Sequence, residues 1–276
     1  MELYSTNVLW GGLQAKAQKD FFLGAYVHVP FCATTCDFCA FYQETPYRRD
    51  LLNFLFSVEQ EFAIFPGGRT VETAFWGGGT PSLLPPGDLE RLGRSQVTAL
   101  GAPAKEWTVE MAPSTVKPDK LQMLKDLGVN RISLGVQSFQ EEMLEAMGRR
   151  QSGRQALEAY DQIRAAGFDD VNIDLIFAVP NQTMDLWLRD LDKVRELAPE
   201  HVSTYCLTFE EDTALYAKLS KGQILQDVDR EADFYERTWE RLEAMGLHQY
   251  EISNFSQPGK ECLHNLNTWR MHDWIG

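Results

Sequence analysis

Tyr26-Val-His-Val-Pro-Phe-Cys-Ala-Thr-Thr-Cys-Asp-Phe-Cys39 is the stretch that decides how this chain folds. Its first half alternates, so Val27 and Val29 fall on one side of an extended backbone and Tyr26 and His28 on the other. Its second half places three cysteines within eight residues, Cys32, Cys36 and Cys39, directly after that strand. Three thiolates this close can hold three corners of a 4Fe-4S cube and leave the fourth iron open to a further ligand. A structural zinc stays open on spacing, because Cys36 and Cys39 have the separation of a zinc pair. No second tight pair accompanies them, since Cys206 and Cys262 stand apart. Five cysteines, an odd number, in a chain of 276 residues point away from a disulfide framework.

Outward from this strand, extended and helical patterns alternate. Strands are expected over 24–29, 73–76, 107–111, 131–137, 171–177 and 201–207, with helices over 48–65, 86–100, 117–127, 152–166 and 184–197. Such alternation implies right-handed crossovers and a parallel sheet. Six units predict an α/β partial (β/α)6 barrel of the TIM type, with a doubly wound open sheet as the alternative. Each strand has an apolar face and a second face that turns polar towards its C-terminal end. On those polar faces stand Glu110, Gln137 and Asp174. If the polar faces look inward, the three converge with the cysteine loop at the barrel mouth, where parallel barrels place their active sites. Trp76-Gly-Gly-Gly-Thr-Pro81 follows the second strand. It lacks the lysine of a phosphate-binding loop, and its glycines indicate close approach of backbone to a ligand.

Asp and Glu outnumber Lys and Arg 40 to 26, giving a formal net charge of −14. Nucleic acid is therefore a poor expectation for the partner, and a small molecule or another protein is favoured. No apolar run is long enough to span a membrane. Met1 to Asp20 lacks the basic start and apolar middle of a signal peptide, so a reducing, cytoplasmic location is expected. The tail over 250–269 is polar, is broken by Pro258-Gly259, and contains His264-Asn-Leu-Asn-Thr-Trp269. His264 is a candidate ligand for a metal or a haem iron.

Taken together, the cysteine stretch, the Gly77–Pro81 loop, Leu134-Gly-Val-Gln-Ser-Phe139 and Asn172-Ile-Asp-Leu175 resemble the radical S-adenosylmethionine (radical SAM) superfamily. More narrowly the chain resembles the coproporphyrinogen-dehydrogenase-like branch, and within it the haem chaperones of the HemW type. The resemblance implies that Cys32, Cys36 and Cys39 ligate a 4Fe-4S cluster whose open iron chelates SAM. It implies backbone contacts from Gly78, Gly79 and Thr80 to the methionine part, with Glu110 on the ammonium and Arg149 on the carboxylate. Gln137 and Asp174 would hold the ribose, and Tyr26 and Phe38 would pack near adenine and cluster. One electron into the sulfonium would then cleave SAM.

Two departures refine this. Dehydrogenases of the branch carry a further cysteine two residues after the third, and here that position is Phe41, which counts against coproporphyrinogen oxidation. The chaperones carry His-Asn-x-x-Tyr-Trp, a segment associated with haem, where this chain has Thr268 in place of Tyr. The resemblance thus implies a haem chaperone with haem at His264. Its partners would be haem or another tetrapyrrole, a haem-acceptor protein, and an electron donor such as flavodoxin or ferredoxin. The alternative is a radical SAM enzyme that acts on a tetrapyrrole, by oxidative decarboxylation or haem breakdown. The expected organisation is an N-terminal extension over 1–23, the partial barrel over 24–210, and a helical and extended segment over 211–276. Relatives of this kind continue past the position of Gly276, so a truncated C-terminal part is expected.

Overall fold

In the computed structural model, residues 22–65 and 67–276 are described. The expected N-terminal extension therefore falls outside them except for its last two residues. Six strands run parallel: β1 (Leu23–Val29), β2 (Thr73–Gly78), β3 (Glu106–Met111), β4 (Arg131–Gln137), β5 (Val171–Phe177) and β6 (His201–Cys206). Between them lie α1 (Arg48–Ile64), α2 (Pro86–Leu100), α3 (Pro118–Leu127), α4 (Glu141–Ala146), α5 (Gly153–Ala165) and α6 (Met184–Leu197). The boundaries have local causes. Pro86 and Pro118 open α2 and α3, where a missing N–H costs nothing. Ser152 and Gln155 close a capping box on α5.

Strand order separates the two expected architectures. The six strands neighbour one another in sequence order, from β1 to β6. A doubly wound sheet reverses direction at a switch point, and none occurs here. The result is the expected partial barrel. Its apolar face packs on the helices: Val27, Val29, Ala74, Trp76, Val109, Ile132, Leu134, Ile173 and Leu175 are all buried. Trp76 and Trp107 meet edge to face at 5.2 Å, and the Trp76 indole donates to Gln96. Burial of this kind contributes about 1.5–3 kcal/mol per large side chain.

Beyond β6 come α7 (Ala214–Ser220), α8 (Val228–Glu243), β7 (His248–Gln249), β8 (Asn254–Ser256), α9 (Leu263–Trp269) and β9 (Asp273–Ile275). These extend both ends of the sheet. β8 runs antiparallel to β6 and carries β7, while β9 joins β1 in parallel on the side away from β2. α8 buries Phe234, Thr238 and Leu242 at four-residue spacing. Helix α9 lies against β1 and β2, under the N-terminal ends of the strands. Among the described residues no helix is long and apolar enough to cross a membrane.

Candidate functional site

The polar faces of the strands do look inward, and at the C-terminal ends they frame a cavity of about 860 Å³. Its walls include Cys32, Cys36, Phe38, Cys39, Gly78, Gly79, Thr80, Glu110, Gln137, Arg149 and Asp174. Every cluster and SAM residue expected from sequence therefore lines one space, apart from Tyr26. That side chain stands off the wall on the inner face of β1. Its hydroxyl lies 3.2 Å from His28 Nδ1 and its ring stacks on Phe75 and His264. Burial, with the Glu110 charge nearby, pushes its phenol up to about 12.

The cysteine loop is anchored by backbone at both ends. Cys32 N–H donates to Glu44 O at 3.1 Å, and Asp37 N–H donates to Met147 O at 3.0 Å. Asp37 also accepts from Lys218 and takes Leu215 N–H on its carbonyl, which ties the loop to α7. Phe38 packs on a second apolar cluster formed by Met143, Leu144, Met147, Ile176, Val179, Leu207 and Leu215. All three thiols are free, with Cys32 Sγ 3.5 Å from Thr80 Oγ1 and Cys36 Sγ 3.4 Å from Arg149 Nη1. Burial raises the Cys32 and Cys39 thiols, so they hold their protons until a metal displaces them. Among the described residues no three His, Cys, Asp or Glu side chains gather around one point as ligands of a single ion do.

Opposite the thiols, the glycine loop folds against β1. Gly78 has φ +99°, and a Cβ there would strike the His28 ring. A Cβ on Gly79 would stand 2.8 Å from Phe31 N. Gly79 and Thr80 spend their N–H groups on Val29 O and Phe31 O, at 2.9 and 2.8 Å. A ligand would thus meet carbonyl oxygens on this loop, which suits a hydrogen-bond donor such as an ammonium. Glu110 supports the same polarity. Burial, then the neighbouring Asp174 charge, lifts its carboxyl to about 8 despite a backbone hydrogen bond from Gly78. A cation at that position would restore its charge. Across the cavity Arg149 donates from Nη2 to Gly135 O at 2.6 Å, yet its buried Nε has no partner. The guanidinium lines the cavity, and its charge there fits a carboxylate.

Gln137 owes its orientation to backbone geometry. It sits at a bulge in the pairing of β4 with β5, with φ +69°. Asp190 of α6 holds the following turn, accepting from Ser138 Oγ at 2.7 Å, Phe139 N–H at 2.8 Å and Gln140 Nε2 at 3.1 Å. Sequence reading missed Asp190. Its signal was a carboxylate on the buried stripe of α6, beside Trp187, Leu191 and Val194. Tyr205 and Cys206, which also line the cavity, carried no comparable signal.

His264 lies elsewhere, at the other end of the barrel. Its N–H donates to Glu106 Oε1 at 3.0 Å and its Nδ1 lies 3.1 Å from Thr73 Oγ1. The ring packs on Phe75 at 5.5 Å and is 6% exposed, and burial lowers its pKa to about 4. His264 is thus buried outside the cavity, and haem at this residue stays what the resemblance implies. A macrocycle has no approach to the ring while α9 stays under the sheet.

Residues 26–194 match the family described as the radical SAM superfamily. The chain belongs to the radical SAM superfamily. The radical SAM family implies a 4Fe-4S cluster and SAM, and the donor set around the cavity suits both. Within the superfamily the chain is 34% identical to a protein named haem chaperone HemW from Bacillus subtilis, over 91% of this chain and 68% of that one. It is 38% identical to the Escherichia coli protein of the same name, over 92% and 68%. Among solved structures, the radical SAM enzyme coproporphyrinogen III oxidase (HemN) of Escherichia coli superposes with a TM-score of 0.79 at 28% identity. That match covers 88% of this chain and 57% of the other. The chain thus spans about two thirds of the length of the curated relatives and less of the solved enzyme.

Proposed function

We propose that this radical SAM protein binds a 4Fe-4S cluster through Cys32, Cys36 and Cys39, binds SAM beside it, and carries haem to an acceptor protein. The observation that supports it is one cavity wall bearing three free thiols, a donor-seeking glycine loop and the Arg149 guanidinium. Identity of 34–38% with proteins named haem chaperones, together with Phe41 where the dehydrogenases carry cysteine, favours cargo delivery over oxidation.

In this reading Glu110 and the glycine-loop carbonyls take the SAM ammonium, and Arg149 takes its carboxylate through a fixed fork. Gln137 and Asp174 hold the ribose hydroxyls, and Phe38 closes the apolar side of the wall. Tyr26 supports this set from below through His28 and Phe75. Bound there, the cluster would supply one electron to the SAM sulfonium. Flavodoxin or ferredoxin is the class of donor proposed for it. Haem is proposed as cargo, bound at a site other than the buried His264.

The test is anaerobic reconstitution followed by haem titration and transfer to an apo-acceptor. A Soret shift with transfer is expected. No shift would overturn the haem reading. A second reading, chemistry on a tetrapyrrole, draws support from the likeness to the solved oxidase. It predicts tetrapyrrole-dependent formation of 5′-deoxyadenosine with a changed tetrapyrrole mass, and the same reaction mixtures decide it.

A further inference from the structure

We propose that His201 and Tyr250, on the barrel floor, are positioning residues for Asp174 at its mouth, acting through a one-way chain of hydrogen bonds along the inner face of the sheet. The inference rests on the reading that Asp174 holds the SAM ribose.

The direction of the chain follows from its ends. An ionised carboxylate only accepts hydrogen bonds, so the group 2.8 Å from Asp174 Oδ1 must be the Asn172 amide nitrogen. The second hydrogen on that nitrogen goes to Ser133 Oγ at 2.7 Å, and Ser133 passes its own to Asp174 Oδ2 at 3.2 Å. Asn172 thereby holds Oδ1 directly and Oδ2 through Ser133. Asn172 Oδ1 then points down the barrel and accepts from His201 Nδ1 at 2.7 Å, while Ser203 Oγ, 3.1 Å away, gives its hydrogen to Asn254 Oδ1 at 2.7 Å. His201 must therefore carry its proton on Nδ1, which leaves Nε2 as an acceptor. The Tyr250 hydroxyl, 2.7 Å away, donates to it. Tyr250 oxygen in turn accepts the Cys262 N–H at 3.2 Å, at the start of α9.

Every donor in this series faces the mouth. Such a chain polarises towards its charged end, and each link strengthens the next. Burial keeps the intermediates in the states required. His201 is lowered well below the usual histidine range by burial, with the Arg131 charge acting in the same direction. Tyr250 is raised by burial, so its hydroxyl keeps the proton it donates. At the far end, burial raises Asp174, and the donors around it oppose that shift. The other charged or titratable groups facing Asp174 are Glu110 from β3, Arg131 from β4 and Tyr205 from β6. A carboxylate that must accept two ribose hydroxyls needs to be held in one orientation, and the chain from the floor fixes the Asn172 amide that holds it.

The sign of the pH effect is fixed. Removing donors raises Asp174 further, so its carboxylate is lost at a higher pH and SAM binding weakens from the acid side upward. SAM affinity of the cluster-loaded protein is measured across pH for wild type, Y250F, H201F, H201Q and D174N, with iron content and thermal midpoint recorded alongside. Y250F is expected to weaken binding about 3- to 10-fold and H201F about tenfold or more, each with the acid limb shifted upward and iron content unchanged. H201Q, whose amide can still donate to Asn172, is expected to recover most of the affinity. D174N is expected to weaken binding and to remove the part of the acid limb that Asp174 supplies, leaving the part set by Glu110. Wild-type affinity and an unshifted limb in Y250F and H201F, with D174N impaired, would overturn the inference. Wild-type affinity in D174N as well would overturn the reading of Asp174 beneath it. Y250F removes a single oxygen and carries the test if H201F does not fold.

Discussion

The two ends of the barrel are built from the same strands and have opposite character. At the mouth, backbone is bent into special conformations at Gly78 and Gln137, thiols are free, and a guanidinium nitrogen lacks a partner. On the floor, Glu106 takes the N–H groups of Leu263 and His264 at 2.9 and 3.0 Å and the Cys262 thiol at 3.4 Å. Beside it Arg131 pairs with Asp170 at 2.5 Å. The mouth opens its free thiols and polar side chains onto a cavity, whereas the floor pairs most of its groups with the chain itself and leaves Arg131 Nη2 and Thr108 Oγ1 buried without partners. A parallel barrel thus keeps its stability and its chemistry at separate ends.

The largest expected effect comes from the mouth. Replacing Cys36 with Ala should abolish cluster binding, read as loss of iron and sulfide after anaerobic reconstitution, while the thermal midpoint of the apo-protein barely moves. R149A should follow, weakening SAM binding about 100-fold by removing a charge-assisted fork. Equal SAM affinity in R149A would break the assignment of this wall. A floor substitution should do the reverse. E106A leaves two helix N–H groups unpaired in a closed space and should cost about 3 kcal/mol in denaturant stability, with SAM affinity kept within a few-fold. H264A should cost about 2 kcal/mol and leave the haem titration unchanged. A lost Soret shift in H264A would instead place haem on the floor and undo the contrast.

The last effect is a pH slope. The Glu110 carboxyl rises from 4.5 to about 8 on folding, which disfavours its charged form. Stability of the ligand-free protein should therefore fall as pH climbs between those values, and E110Q should flatten that slope. SAM binding at neutral pH should also release a proton from Glu110, measured by calorimetry in buffers of different ionisation heat. No release would mean that the ammonium sits elsewhere.

Much of this was legible in the sequence, and for a definable reason. Strands β1, β3, β4 and β5 alternate in sequence, so period two placed them closely and put Glu110, Gln137 and Asp174 on one face. The floor resisted such reading. β7, β8 and β9 are two or three residues long, too short for any period to register. Their places depend on pairing with β6 and β1, far away in sequence. His264 was read by its neighbours in sequence, as a haem segment, whereas its surroundings in space are Thr73, Phe75 and Glu106. Asn172 was legible as an inward polar residue, but its link to His201 and Tyr250 needed the register between β5 and β6.

The strand that presents the cysteine loop has one more property. β1 is paired on one side by β2 and on the other by β9, the last strand of this sequence. Closing so long a loop is entropically costly, and such contacts form late. While the chain is being made, β1 is therefore a sheet edge, paired on a single side until Asp273–Ile275 has emerged. The consequence is one of timing. Iron offered before Asp273–Ile275 has paired meets the thiols beside a half-paired strand, and iron offered afterwards meets them beside a strand paired on both sides.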